Sequence, residues 1–326
     1  MAAVAVVCIH TTSPTFSRYG DCPELLWWFS NVLNAASRWA VPVFVMITGY
    51  LTLSRPINSP RYFCFKKLSG IAWPIFFWTA FYCFVRVIKK EPLNDIGISI
   101  LMGQPYYHLW YLYMLLGLIF AIPLLACVVQ PERITARNLT YLALLLFTLL
   151  LIRWVESWFC KGALKFMWSW ISFAGYFLFG HLFSRLDGDQ ISKIRNRWLT
   201  FFLLFSVLSI ALGNWLSYKI NLHEGLGHVW GDPISPFVIL SSFSIYLLFL
   251  KNNRKLPSNK WLEPLALACL GVYLIHPAVL LFVHQVKDPF SYSSAVSLTV
   301  ELILVTLISF SSIMVIRRIP VVKKIV

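Results

Sequence analysis

Negative charge is scarce in this chain: Asp and Glu number 13 against 28 Lys and Arg, and charged residues make up only 13% of 326 positions. So thin a polar coat excludes a water-soluble domain, in which about a quarter of residues are charged. Seven cysteines neither pair evenly nor show metal-ligand spacing, which argues against a disulfide framework and against a metal site. Cys8, Cys64, Cys83, Cys127 and Cys269 lie in or beside apolar runs, where cysteine behaves as a small apolar residue. Cys22 and Cys160 fall in polar stretches and are the one candidate pair. The first apolar stretch has neither a basic flank nor a small-residue cleavage site and is not read as a secretory signal. The longest stretch read as a loop, residues 13–38, is too small to bury a core of its own. No internal repeat and no inverted pair of broken helices is found, which speaks against a secondary transporter. Function is therefore expected within one membrane-embedded unit, residues 1–326, or at its two faces.

Present instead are apolar residues at 59%, aromatics at 17% and a mean hydropathy of +0.71, the composition of a polytopic membrane protein. Stretches long enough to span are expected at 39–54, 68–88, 109–129, 138–154, 166–184, 198–218, 233–250, 265–283 and 293–316. With the shorter apolar segment at the start these make ten helices, an all-α bundle. Placing both termini in the cytoplasm puts 18 basic and 4 acidic residues in inside loops, and 10 basic and 8 acidic residues in outside loops. That asymmetry is what the positive-inside rule requires. It accounts for most of the net charge of +15 without a nucleic-acid partner, although some of these cations could also meet an anionic cytosolic substrate. Aromatic clusters at predicted outer ends (Trp27, Trp28, Phe29, Tyr106, Tyr107, Trp154, Trp158, Trp168) read as an interfacial belt or as a stacking platform for sugar rings.

Four polar clusters interrupt the apolar pattern. His10-Thr11-Thr12 follows the uncharged run Ala2 to Ile9, and an ionisable group at membrane depth is either a packed, hydrogen-bonded residue or a functional one. Arg38 precedes an apolar helix carrying Thr48-Gly49, a pair that permits close backbone approach; Arg38 either snorkels to the interface or holds an anionic or oxyanionic group near His10. Tyr106-Tyr107-His108-Leu109-Trp110 places a histidine and rings where a span begins. In Tyr273-Leu274-Ile275-His276, Tyr273 and His276 share a helix face. Glu301 lies within the last span and has to be paired or protonated there. Histidines, an arginine and a carboxylate in apolar helices suggest proton handling. Either proton-coupled transport or group transfer with histidine as general base would use it.

The order His10-Thr-Thr, Ser37-Arg38-x-x-Val41-Pro42-x-Phe44-x-Met46-Ile47-x-Gly49-Tyr50-Leu51, Arg61, His108-Leu-Trp110 and Tyr273-Leu-Ile-His276 resembles the acyltransferase-3 family of membrane O-acyltransferases through nearly the whole chain. The resemblance implies a ten-helix enzyme of the bacterial inner membrane, with no tightly bound cofactor and no metal. It would take an acetyl group from cytosolic acetyl-CoA and place it on a hydroxyl of a glycan or glycolipid at the outer face. By that analogy His10 and Glu301 are catalytic, and Arg38, His108, Trp110, Tyr273 and His276 bind the acceptor. Arg61, Lys66 and Lys67 meet the CoA phosphates, or serve only as positive-inside anchors. The family keeps an arginine eleven residues before its histidine, in an Asp-x-x-Arg turn, which by count falls two places before Met1. The expectation is that Met1 is an internal methionine and the first helix incomplete. The partners expected are acetyl-CoA, the acceptor and the lipid bilayer. A homo-oligomer is compatible with the sequence, which sets no oligomeric state.

Overall fold

The apolar start of the chain does not stop at His10. In the computed structural model α1 runs Ala2–Phe16. The hydroxyls that looked like a polar break are absorbed by the helix itself, with Thr12 Oγ1 donating to the Cys8 carbonyl at 2.8 Å and Ser13 Oγ to the Ile9 carbonyl at 2.6 Å. Residues 1–54, 60–129, 165–220, 229–253, 262–286, 294–320 and 322–325 are described, together with Ala143, Phe147, Leu151 and Trp154. Apart from those four residues the span expected at 138–154 lies outside the described residues, as do the Cys160 half of the candidate disulfide, Trp158 and the side chains of Arg61 and Trp168.

After α1 come α2 (Glu24–Ser37), α3 (Ala40–Leu53), α4 (Pro60–Ile88), α5 (Leu93–Leu101) and α6 (Trp110–Val129). The second half comprises α7 (Lys165–Ser184), α8 (Gly188–Lys193), α9 (Asn196–Lys219), α10 (Pro236–Asn253), α11 (Leu262–Val286), α12 (Ala295–Ile316) and a closing 3₁₀ turn, Val322–Ile325. The molecule is a helical membrane bundle. Among the described residues five helical stretches are long and apolar enough to cross a membrane, Glu24–Leu53, Tyr62–Ile88, Asn196–Lys219, Leu262–Val286 and Ala295–Ile316; α1, the first half of α6 and α10 are shorter apolar helices.

The expected outside loop 13–38 is corrected by this fold. Its second half is α2, which returns antiparallel along α1: Trp27 Nε1 donates to the Phe16 carbonyl at 2.9 Å, Ser30 Oγ to the Thr12 carbonyl at 2.8 Å and Asn34 Nδ2 to the Ile9 carbonyl at 3.2 Å. The other side of α2 locks to α9, where Asn31 Nδ2 donates to the Ala211 carbonyl at 2.8 Å and Asn31 Oδ1 accepts from Asn214 Nδ2 at 2.9 Å. With no hydrophobic drive between helices in lipid, such polar contacts and close packing hold the bundle. Trp27 is buried to 1% exposure and stacks on Phe16, and Tyr106 stacks on Tyr82. Neither is a belt residue.

The span expected to begin at 39 is also corrected, because α2 and α3 together form one 30-residue apolar arm. The arm is interrupted only at Arg38 and Trp39, so Arg38 sits at its midpoint. Below the break α3 crosses α7 at backbone contact. A Cβ on Gly49 would land on the Phe177 carbonyl, and one on Gly180 on the Met46 carbonyl. The close approach read from Thr48-Gly49 is made at Gly49.

Candidate functional site

Three histidines from three distant parts of the chain meet beside the top of α3. His10 comes from the middle of α1, His108 from the turn that opens α6, and His276 from α11. The His10 and His276 rings stack with centroids 5.1 Å apart, and His108 stands edge-on to His276 at 5.5 Å. Tyr107 lies against His10 at 4.8 Å. His108 and His276 are buried at 1% and 0% exposure, whereas His10 is partly exposed and Tyr107 is 49% exposed. The cluster is therefore reached from the surface beside Tyr107.

Each member is placed by identifiable contacts. Arg86, near the end of α4, pairs with Glu91 at 2.6 Å and donates to Ser99 Oγ at 2.5 Å and to the Pro105 carbonyl at 3.0 Å. That clamp fixes α5 and the turn through Gly103, whose φ of 69° suits glycine, so that residues 106–108 fold inward. Tyr273 Oη donates to the His108 carbonyl, and Tyr82 Oη donates to the Leu274 carbonyl at 2.7 Å, tying this turn and α4 to α11. Asn34 ties the arginine to α1. Its Nδ2 donates to the Ile9 carbonyl and to Thr12 Oγ1 (3.1 Å), while its Oδ1 accepts from Arg38 Nε at 2.7 Å. Arg38 Nη1 reaches the Gly231 carbonyl at 3.5 Å, next to Asp232, and the guanidinium is near enough for its charge to act on His10.

The cluster carries unmet hydrogen-bonding capacity. Both ring nitrogens of His108 and Nε2 of His276 are buried without a partner. Orphaned buried polar atoms are rare and costly, about 1–3 kcal/mol each. Several in one place mark a site that a polar ligand completes. The histidines are not gathered as metal ligands: His10 and His276 face each other ring to ring, and among the described residues no group of three His, Cys, Asp or Glu side chains could hold a metal ion. What the arrangement can do is accept a proton from a hydroxyl and, through Arg38, stabilise a developing negative charge.

The structure brings His10, Arg38, His108, Tyr273 and His276 together. The head of Arg38 is engaged by Asn34 Oδ1 and the Gly231 carbonyl. Two expected members lie elsewhere. Glu301 bonds His284 Nε2 at 2.9 Å, and His284 is eight residues beyond His276, about 12 Å along α11. The carboxylate thus links α11 to α12 outside the histidine cluster. Trp110, the first residue of α6, packs on Phe173 of α7 at 5.7 Å. Lys66 and Lys67 are exposed on the first turns of α4, with ammonium groups 6.0 Å from the Tyr62 ring and 5.8 Å from the Phe63 ring. Tyr107 belonged to the ring cluster noted in the sequence, whereas Tyr82 and Asn34 were not anticipated as site residues. Asn34 belongs to a polar stripe, Ser30, Asn31, Asn34 and Ser37, whose helical spacing is visible in the sequence once residues 24–37 are taken as a helix. Tyr82 carries no such signal.

Comparison with known proteins addresses the chemistry. The model of the acyltransferase-3 family, described as an acyltransferase domain, matches residues 1–318. No curated protein and no solved structure matches the chain. The transporter reading gains nothing from this match. A family model that covers every described α-helix, together with a buried histidine cluster opening beside Tyr107, leads to one assignment: the chain belongs to the acyltransferase-3 family and is a membrane acyltransferase.

Proposed function

We propose that the reaction is O-acetyl transfer from cytosolic acetyl-CoA to a hydroxyl of a cell-surface or lipid-linked glycan, at the outer face of a bacterial inner membrane that the chain crosses ten times with both ends in the cytoplasm. The observation that carries this reading is the convergence of His10, His108 and His276, with three ring nitrogens of His108 and His276 unpartnered and Arg38 tied through Asn34 to α1 on the His10 side. The hydroxyl oxygen attacks the thioester carbonyl carbon. An imidazole takes the hydroxyl proton, the guanidinium of Arg38 meets the carbonyl oxygen as it becomes negative, and the C–S bond breaks to release the thiolate. The exposed Lys66 and Lys67 at the start of α4 supply positive charge suited to CoA phosphates. The segments 31–38 and 108–110 resemble those of the enterobacterial common antigen O-acetyltransferase, a likeness that supports a lipid-linked or cell-surface glycan as acceptor.

The test uses purified protein in lipid nanodiscs with radiolabelled acetyl-CoA and a bacterial glycolipid extract. We expect free CoA thiol and labelled glycolipid to form together. A carrier would release no CoA, and that result would overturn the reading. Within the same assay Arg38→Lys is expected to lose about 10²-fold in transfer, since an ammonium cannot keep both the Asn34 and Gly231 contacts while facing a carbonyl oxygen. Transfer at the native rate by Arg38→Lys would reduce Arg38 to a positive charge without directional function.

A further inference from the structure

We propose that His276, and not His10, is the base that accepts the proton of the attacking hydroxyl; this rests on the acetyl-transfer reading above. The argument begins with Pro277. A proline has no N–H to donate to the carbonyl four residues back, and in α11 that carbonyl belongs to Tyr273. The released carbonyl is taken up by the histidine next to the proline. His276 Nδ1 lies 2.7 Å from the Tyr273 carbonyl oxygen and 3.2 Å from that of Val272. Carbonyl oxygens only accept, so Nδ1 carries the proton, and in the neutral ring Nε2 carries the lone pair. That Nε2 is fully buried, has no partner, and belongs to a residue with 0% exposure.

A histidine built as a base shows this pattern, with one nitrogen held as a donor by a fixed acceptor so that the other presents its lone pair to substrate. His10 has no such orienting bond among the described residues and keeps part of its ring at the surface. Its contacts are faces, the stacked His276 ring and Tyr107. Its place fits contact with the acyl group, while the tautomer-locked ring behind it waits for the O–H. In the step so assigned the hydroxyl O–H proton passes to His276 Nε2 and the new C–O bond forms. The thioester C–S bond then breaks, and the departing thiolate sulfur takes the proton from His276, returning the ring to its starting tautomer. The Tyr-x-x-His-Pro spacing is thus one device: proline frees the carbonyl, the carbonyl sets the tautomer, and the tautomer sets which atom is basic.

The experiment compares two acceptors of the acetyl group in the nanodisc preparation: the glycolipid extract, whose hydroxyls need a base, and hydroxylamine, a neutral nucleophile that attacks without one. His276→Asn keeps an amide donor near the Nδ1 position and deletes Nε2. Its ratio of hydroxylamine transfer to hydroxyl transfer is expected to rise about 10²-fold over the wild type, the usual contribution of a general base. Pro277→Ala, which restores a competing backbone N–H for the Tyr273 carbonyl, leaves every site side chain in place and is expected to move the ratio the same way by about tenfold. An unchanged ratio in both variants would overturn the assignment, because a ring that only supports the fold lowers both transfers together. A wild type that transfers to neither acceptor would instead overturn the acetyl-transfer reading and this assignment with it.

Discussion

His10→Ala is expected to lower acetyl transfer by about 10²-fold through loss of acyl-group positioning, with the variant still inserted in the membrane. The side chain lies at the meeting point of three elements, stacked on His276 and against Tyr107, within the field of Arg38. Removing it leaves a hole beside the base and removes the one imidazole of the cluster that is partly exposed to an entering acyl group. Folding should survive, because no hydrogen bond of the His10 side chain holds α1: the hairpin with α2 is secured by Trp27, Ser30 and Asn34 through carbonyls of Phe16, Thr12 and Ile9. The measurement is CoA release and labelled glycolipid, normalised to membrane-inserted protein. Retained O-acetylation at the native rate in this variant would remove His10 from the reaction.

The second large effect is on assembly. Gly49→Ala is expected to destabilise the bundle by about 3 kcal/mol or more, at the upper end for overpacking, and Gly180→Ala to do the same. At both positions the added methyl meets backbone, the Phe177 and Met46 carbonyls respectively, which cannot swing aside as a side chain can. To accommodate it α3 and α7 have to separate, and the top of α3 carries Arg38. Activity should therefore fall along with the apparent melting temperature in detergent. Gly70→Ala in α4 is the control, since nothing lies within 4 Å of its added Cβ and alanine suits a helix interior better than glycine. A Gly49→Ala protein that melts with the wild type would mean that the two helices do not pack at this separation in the membrane.

Much of this arrangement could be read one residue at a time. His10, His108, His276 and Arg38 stand out because a charge or an imidazole in an apolar run is expensive and needs a reason. Gly49 stands out because close helix packing selects small residues. What could not be read was pairing. Ser30, Asn31, Asn34 and Ser37 looked like part of a loop because, taken singly, they are loop-forming residues. As a stripe on α2, Ser30 and Asn34 bond α1 and Asn31 bonds α9, while Ser37 Oγ donates to the Leu33 carbonyl of α2 itself. Glu301 was expected among the catalytic residues because a carboxylate in an apolar span needs a partner or a proton. Helix register instead sets it against His284.

The sequence by itself determined that this is an all-helical membrane acyltransferase, because apolar length, the scarcity of acids and the matched order of motifs do not depend on how the helices pack. It also set the Tyr273-His276-Pro277 device, since the missing N–H and the freed carbonyl are local consequences of one proline. Only the tertiary structure decided which ionisable groups share a site. Arg38 reaches the cluster because α2 folds back on α1 and breaks at the middle of its arm, and Asn34 then fixes the guanidinium beside His10. His108 is buried because Arg86 clamps the turn before α6. Such contacts link residues far apart in the chain, and their geometry follows from close packing of helix backbones, which no single segment encodes.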